Sequence, residues 1–321
     1  MELLDSPEDR GYPAEYLLSR IRGRRARLIM DWKPLILEGD PLEYLSSRRY
    51  LGFVAEKSPE GVWRQLMKEY RWIYSQMNRV LRDIFWPFFL YSELRTLFIC
   101  LRHMRDGKEA KIDHILAVSL LSDTIKTVLR RSKDTASAVA EIEDIFLTLS
   151  EGFGGLTGIV DREGLRGVEQ RLTDAYLVFL VNSKINTLLR LFFSRVIDSR
   201  NIISLYKYLR LHGKTPPSFI AGGSIAESRL TEILDAADMY GLGSLIGEFS
   251  GITIEMPDAT KVEVALYRGM TRFLRKEGRD PLGIGIILDY LWRSSLEAMN
   301  LSVLFYGKDL ERDEIAAEIV Y

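Results

Sequence analysis

Residues 85–102 read FWPFFLYSELRTLFICLR, from Phe85 through Glu93 to Arg102. A related pattern returns at 191–210 as LFFSRVIDSRNIISLYKYLR, with Asp198 and Asn201, and at 288–307 as LDYLWRSSLEAMNLSVLFYG, with Glu297 and Asn300. Each stretch is an apolar, aromatic-rich run, then an acid or an Asn, then a second apolar run. Aligning Glu93 with Asn201 and Asn300 spaces the copies about a hundred residues apart. Internal repetition at a fixed period means that one small unit accounts for the whole chain. The unit reads as helical, so the fold expected is all-α, built from three similar subdomains at roughly 1–110, 111–220 and 221–321. The first of them could be split between the termini. Such repetition favours a scaffold over an enzyme.

Composition is compatible with that reading. The chain has 321 residues, 47% of them hydrophobic, enough for a substantial core. Lys and Arg number 44 against 45 Asp and Glu, a formal charge of −1, so no global basic excess points to nucleic acid. The single cysteine, Cys100, excludes an internal disulfide framework and a cysteine-rich metal site. It lies in an apolar run and reads as a small buried hydrophobe. The N-terminal MELLDSPED is acidic, with no secretory signal. Unbroken apolar runs such as 84–91 and 176–181 fall far short of the roughly 20 residues that span a bilayer.

Apolar residues recur at three- and four-residue spacing along most of the chain. Tyr16, Leu17, Ile21, Leu28 and Ile29 predict a helix running to about Leu37. Asp40 and Pro41 predict a helix start. One long helix is expected from Val62 to Leu90, with Pro87 ending or bending it, and another from Ile112 to Arg131. Glycine-rich 151–158 and the breakers at 214–219 and 222–224 read as boundaries. Thr253 to Pro257 reads as a loop or minor strand. Asp280 and Pro281 predict the start of a helix that reaches Tyr306 and stops at Gly307. Gly283 and Gly285 lie early in it, which either a close backbone approach or a flexible entry turn explains. A short helix from Leu310 to Val320 closes the chain.

Motifs for chemistry are scarce. His103, His114 and His212 form no pair at metal-ligand spacing and read as surface or packing residues. Gly152, Gly154 and Gly155 resemble a nucleotide loop, but no Gly-Lys-Ser/Thr ending follows. Gly213, Lys214 and Thr215 supply that ending where Tyr208 occupies the required glycine position. Glu141, Glu143 and Asp144 read as a solvated helix face. Asp198 and Glu297 each precede an Asn by three residues, one helical turn, so each pair can share a face. Capping and interhelical hydrogen bonding account for them without catalysis.

One charge cluster stands apart. Arg20, Arg22, Arg24, Arg25 and Arg27 fall within eight residues with no acid among them. Arg20, Arg24 and Arg27 share a helix face. They could engage an acidic partner or lipid headgroups. They could equally form a solvated face or pair with acids of other helices. Nucleic acid is disfavoured by the absence of interleaved aromatics.

Taken in order, several of these motifs resemble the C subunit of bacterial and archaeal V/A-type rotary ATPases, the counterpart of the eukaryotic V-ATPase d subunit. The stretch from Tyr16 (YLLSRIRGRRARL) is similar to that family's opening helix. So are DSRNI from Asp198, Leu209 and Arg210, and Gly222 and Gly223. The strongest resemblance lies in DPLGIGIILDYL from Asp280, then EAMNL from Glu297, and Gly307. Departures include Glu93, where an Asn is expected, the residues Asp289 to Ser295, and the region from Ser58 to Arg82.

The resemblance implies a funnel of three helical subdomains with pseudo-threefold symmetry. It implies a non-catalytic central-stalk rotor subunit, without cofactor, metal or small-molecule substrate of its own. The implied partners are the central shaft subunits of D/F type and the membrane proteolipid ring. The implied location is peripheral, on the cytoplasmic face of the membrane, where the protein couples ATP chemistry to proton or sodium transport. The arginines from Arg20 to Arg27 are the candidate partner-binding residues. The competing reading is a soluble helical scaffold outside any rotary ATPase.

Overall fold

The computed structural model describes residues 3–37, 59–213, 215–252, 254, 258–307 and 309–320. Among them the regular elements are helices, as expected, and an isolated antiparallel bridge joins Leu4 to Leu121. The helices are α1 (Ala14–Arg25), α2 (Lys33–Leu37), α3 (Pro59–Gln76), α4 (Arg79–Arg105), α5 (Ala110–Leu116), α6 (Asp123–Arg131) and α7 (Thr135–Leu147). They continue with α8 (Leu156–Asn182), α9 (Thr187–Leu211), α10 (Glu227–Asp235), α11 (Met239–Ser250), α12 (Ala259–Glu277), α13 (Gly285–Tyr306) and α14 (Arg312–Glu318). A 3-10 turn, Glu151–Phe153, precedes α8. The expected start at Asp40 and Pro41 lies outside the described residues, as does most of Thr253 to Pro257.

Three expected helices are each two. The chain breaks between α1 and α2, where Asp31 accepts from the Lys33 N–H and starts a new turn. It breaks again at Asn78, whose extended backbone and side chain cap α4 by accepting from the Leu81 N–H at 3.0 Å. It breaks a third time at 117–122, ahead of the extended Ser122. Periodicity reads through such breaks because apolar residues face the core on both sides of them. Pro87 does not end its helix: α4 runs on to Arg105. Proline inside a helix costs about 3 kcal/mol, and the packing of its neighbours outweighs that here. Phe85, Phe88, Phe89 and Leu90 are all buried, and the Tyr176 hydroxyl donates to the Pro87 carbonyl at 3.1 Å.

The chain divides into two compact units. The first comprises Met1–Tyr12, Tyr70–Ile197 and Ile220–Gly223. Its core is α4, surrounded by an aromatic cluster. Phe88 meets Phe89, Tyr70 and Phe192 at ring separations of 5.7–5.8 Å, and Tyr74 meets Phe89 at 4.9 Å. Tilted and edge-on pairs of this kind add to the burial of their area. By length and mean hydropathy α4 could cross a membrane, yet 67% of its apolar stretch is buried inside the protein, as in a core helix. The N-terminal segment is pinned beside it. The Asp5 N–H donates to the Leu120 carbonyl, and the Ser122 N–H donates to that of Leu3.

The second unit comprises Pro13–Glu69, Asp198–Phe219 and Ser224–Tyr321. Ile202 and Leu205 of α9 pack with Leu230 of α10, Leu242 and Ile246 of α11, and Val262 and Leu266 of α12. Helix α13 is buried along most of its length, and α1 and α12 pack on it. Gly285 has a local reason to be glycine: a Cβ there would overlap the Glu277 carbonyl oxygen. Of the two explanations for the paired glycines, the close backbone approach holds at this position. The helix itself starts at Gly285, and the Asp280 carboxylate serves the turn before it by accepting from the Leu282 N–H.

Candidate functional site

Four of the five clustered arginines lie in α1, which buries only Leu17, Leu18 and Ile21; Arg27 lies past its end, so it does not share a helix face with Arg20 and Arg24. Charge supplies much of the rest of its attachment. Arg24 pairs with Glu69 at 2.6 Å, and the other Glu69 oxygen accepts from the Tyr290 hydroxyl at 2.9 Å. Arg25 lies 2.8 Å from Asp289 and donates to the Gly278 carbonyl. Arg22 donates to the Pro281 carbonyl. Arg20 and Arg27 are exposed, with Arg20 donating to the Tyr16 hydroxyl and lying over its ring. The cluster is therefore divided: Arg22, Arg24 and Arg25 tie α1 to its own unit, and Arg20 and Arg27 face solvent.

The acids in the recurring stretches are buried. Glu93 is fully enclosed, with the Ser119 hydroxyl donating to one oxygen at 2.7 Å and the Leu120 N–H to the other at 2.5 Å. Asp198 is also enclosed and accepts from the Ser224 N–H and hydroxyl and from the Ile225 N–H. Glu297 accepts from the Ile29 N–H at 3.0 Å. These contacts align Glu93 with Asp198 and Glu297, not with Asn201 and Asn300. Thr96, Asn201 and Asn300 then take the second position. Asn300 makes its own two-pointed contact, donating to the Val320 carbonyl and accepting from its N–H. Glu93, Asp198, Glu297 and Asn300 anchor chain segments, as the structural reading of the acid and Asn positions expects. Burial, the largest influence, raises the Glu93 carboxyl above its ordinary range, against the pull of its hydrogen bonds.

Asp289 carries a different environment, which sequence reasoning missed. Its side chain is fully buried in α13, and burial raises its carboxyl above the usual value. Arg25, Arg293 and Arg275 pull the other way. Neither of its oxygens has an aligned hydrogen bond, so the 2.8 Å approach of Arg25 is a charge contact. The available signal was an acid amid the apolar residues of 286–291.

Beside this pair lies a cavity of about 40 Å³, lined by residues of 28–32, α12, α13 and Val320. Arg275 and Arg293 are in its wall, together with Glu297 and Asn300. The other expected positions carry no site. His114 and His212 are exposed, and among the described residues no group of three metal-ligating side chains occurs. Cys100 is buried, and desolvation pushes its thiol up to about 12, with Glu93 adding to the effect. The glycine-rich 151–158 is a 3-10 turn followed by the start of α8. There Glu143 caps the helix by accepting from the N–H groups of Gly155 and Thr157.

The geometry thus describes a helical framework with anchored segments and an arginine-lined cavity. The family model described as ATP synthase (C/AC39) subunit matches residues 17–318. The chain is similar to the C subunit of the V-type ATP synthase of Thermus thermophilus, 24% identical over 326 residues, covering 95% of this chain and 98% of that relative. It is also similar to the C subunit of the V-type ATP synthase of Deinococcus radiodurans, 28% identical over 222 residues, covering 66% of this chain and 60% of that relative's length. With the family match extending over nearly all of its length, the chain belongs to the ATP synthase (C/AC39) subunit family.

Proposed function

We propose that the protein is a non-catalytic central-stalk rotor subunit of a V/A-type rotary ATPase. In this reading it joins the shaft to the proteolipid ring at the cytoplasmic face of the membrane. The observation that carries the reading is the end-to-end similarity to the Thermus protein. The internal anchoring supports it. A coupling element must pass torque without yielding, and buried carboxylates that hold backbone N–H groups fix segments in one arrangement. Arg20 and Arg27, exposed and not among the arginines that tie α1 to its unit, present charge toward ring loops or headgroups.

Co-purification from native membranes tests the proposal. The protein is expected to elute with the proteolipid ring and shaft subunits. Its recovery as a free monomer, under conditions that retain the other rotor subunits, overturns the reading and favours the soluble scaffold. Within the assembly, reversing Arg20 and Arg27 to Glu is expected to weaken docking and to make the residual binding less salt-sensitive.

A further inference from the structure

The cavity beside α13 combines features that the anchoring of the helices does not require. Three guanidinium groups, on Arg25, Arg275 and Arg293, act on the Asp289 carboxylate. Arg25 takes the close position at 2.8 Å. Glu297 is committed to the Ile29 N–H. Among the described residues, two guanidinium groups, on Arg275 and Arg293, and one carboxylate, that of Glu297, line the cavity, which leaves a surplus positive charge there. It resides on Arg275 and Arg293. Among the described residues Arg275 has no hydrogen-bond or ion-pair partner, and it is exposed. Arg293 is half-buried, and the hydrogen bond it makes is to the Met30 sulfur. A thioether is a weak acceptor for a guanidinium carrying five donors.

We propose that this cavity binds a carboxylate side chain presented by an acidic, apolar-flanked segment of a partner protein, clamped by Arg275 and Arg293. Three properties select that occupant. A carboxylate matches the fork of a guanidinium and neutralises the surplus charge. The 40 Å³ of space accommodates a group of carboxylate size. Leu28, Met30, Trp32 and Leu296 line the same cavity, and Met30 is 64% exposed. An apolar neighbour of the bound acid has surface to cover there, whereas a free phosphate gains nothing from it. Such an occupant fits whichever assembly the chain joins.

The test uses the purified full chain with arginine Nε–H resonances as the readout, assigned through the variants Arg275→Gln and Arg293→Gln. The probe is a capped tripeptide with glutamate between two leucines. Its glutamine counterpart and inorganic phosphate are the comparison ligands. The glutamate peptide is expected to shift the Arg275 and Arg293 signals saturably. Arg275→Gln, at an exposed position that keeps the fold, is expected to weaken binding about tenfold. The glutamine peptide and phosphate should leave both signals in place. No shift with the glutamate peptide overturns the proposal. So does an equal shift with the glutamine peptide, which would make the contact merely apolar, or a stronger one with phosphate, which would make the cavity a general anion site.

Discussion

Glu93 and Asp198 make the same connection to the chain that follows them: each accepts hydrogen bonds from residues 26 and 27 positions further on. In the first case the donors are Ser119 and Leu120, and in the second Ser224 and Ile225. Glu297 finds its partner in an earlier segment of the chain. It accepts from the backbone N–H of Ile29. The segment after α1 thus does for α13 what later segments do for α4 and α9.

The Glu93 contact sets a pH dependence. Its folded carboxyl is raised above the ordinary value of 4.5, chiefly by burial. The folded state then holds its proton to higher pH than the unfolded state does. The associated stability is complete below about 4.5 and is lost as pH rises through the folded value. Glu93→Gln keeps an acceptor for the Leu120 N–H and a donor toward Ser119 without the charge. Denaturant unfolding of both proteins between pH 4 and 7 should show the variant gaining on the wild type as pH rises. The slope is at most about 1.4 kcal/mol per pH unit. A constant difference across that range would contradict the assignment.

The Arg25–Asp289 contact predicts non-additivity. Removing Arg25 as Arg25→Met leaves an enclosed carboxylate with no close cation and should cost about 2–3 kcal/mol. Asp289→Asn removes the charge that needed Arg25. The double variant should therefore be more stable than Arg25→Met alone. A double-mutant cycle by urea unfolding measures this, and additive effects would mean that the two charges do not interact.

Two glycines make opposite predictions. Gly285→Ala drives a methyl group into the Glu277 carbonyl oxygen, which must move. A loss of about 2 kcal/mol is expected from such overpacking. Gly23→Ala lies within α1 with nothing inside 4 Å of the new Cβ, and should stabilise by about 0.5–1 kcal/mol. Thermal melts of the two variants should move in opposite directions.

Periodicity was sufficient to read the helical class and the long run of α13, because helix faces repeat their apolar residues locally. The same signal could not see the breaks at Asp31, Asn78 and Ser122, where capping and backbone conformation decide and hydrophobic spacing continues unbroken. The ordered motifs carried the family, since residues in fixed order along a chain need no third dimension to be compared. Burial and pairing did need it. Five clustered arginines look alike in one dimension, and only the packing of α1 on α13 separates Arg25, beside Asp289, from the exposed Arg27. The register of the recurring acids was likewise decided by hydrogen bonds to residues far away in sequence, Leu120, Ile225 and Ile29. Sequence determines which groups can bond. Their distances, and the water excluded from between them, arise only when the helices meet.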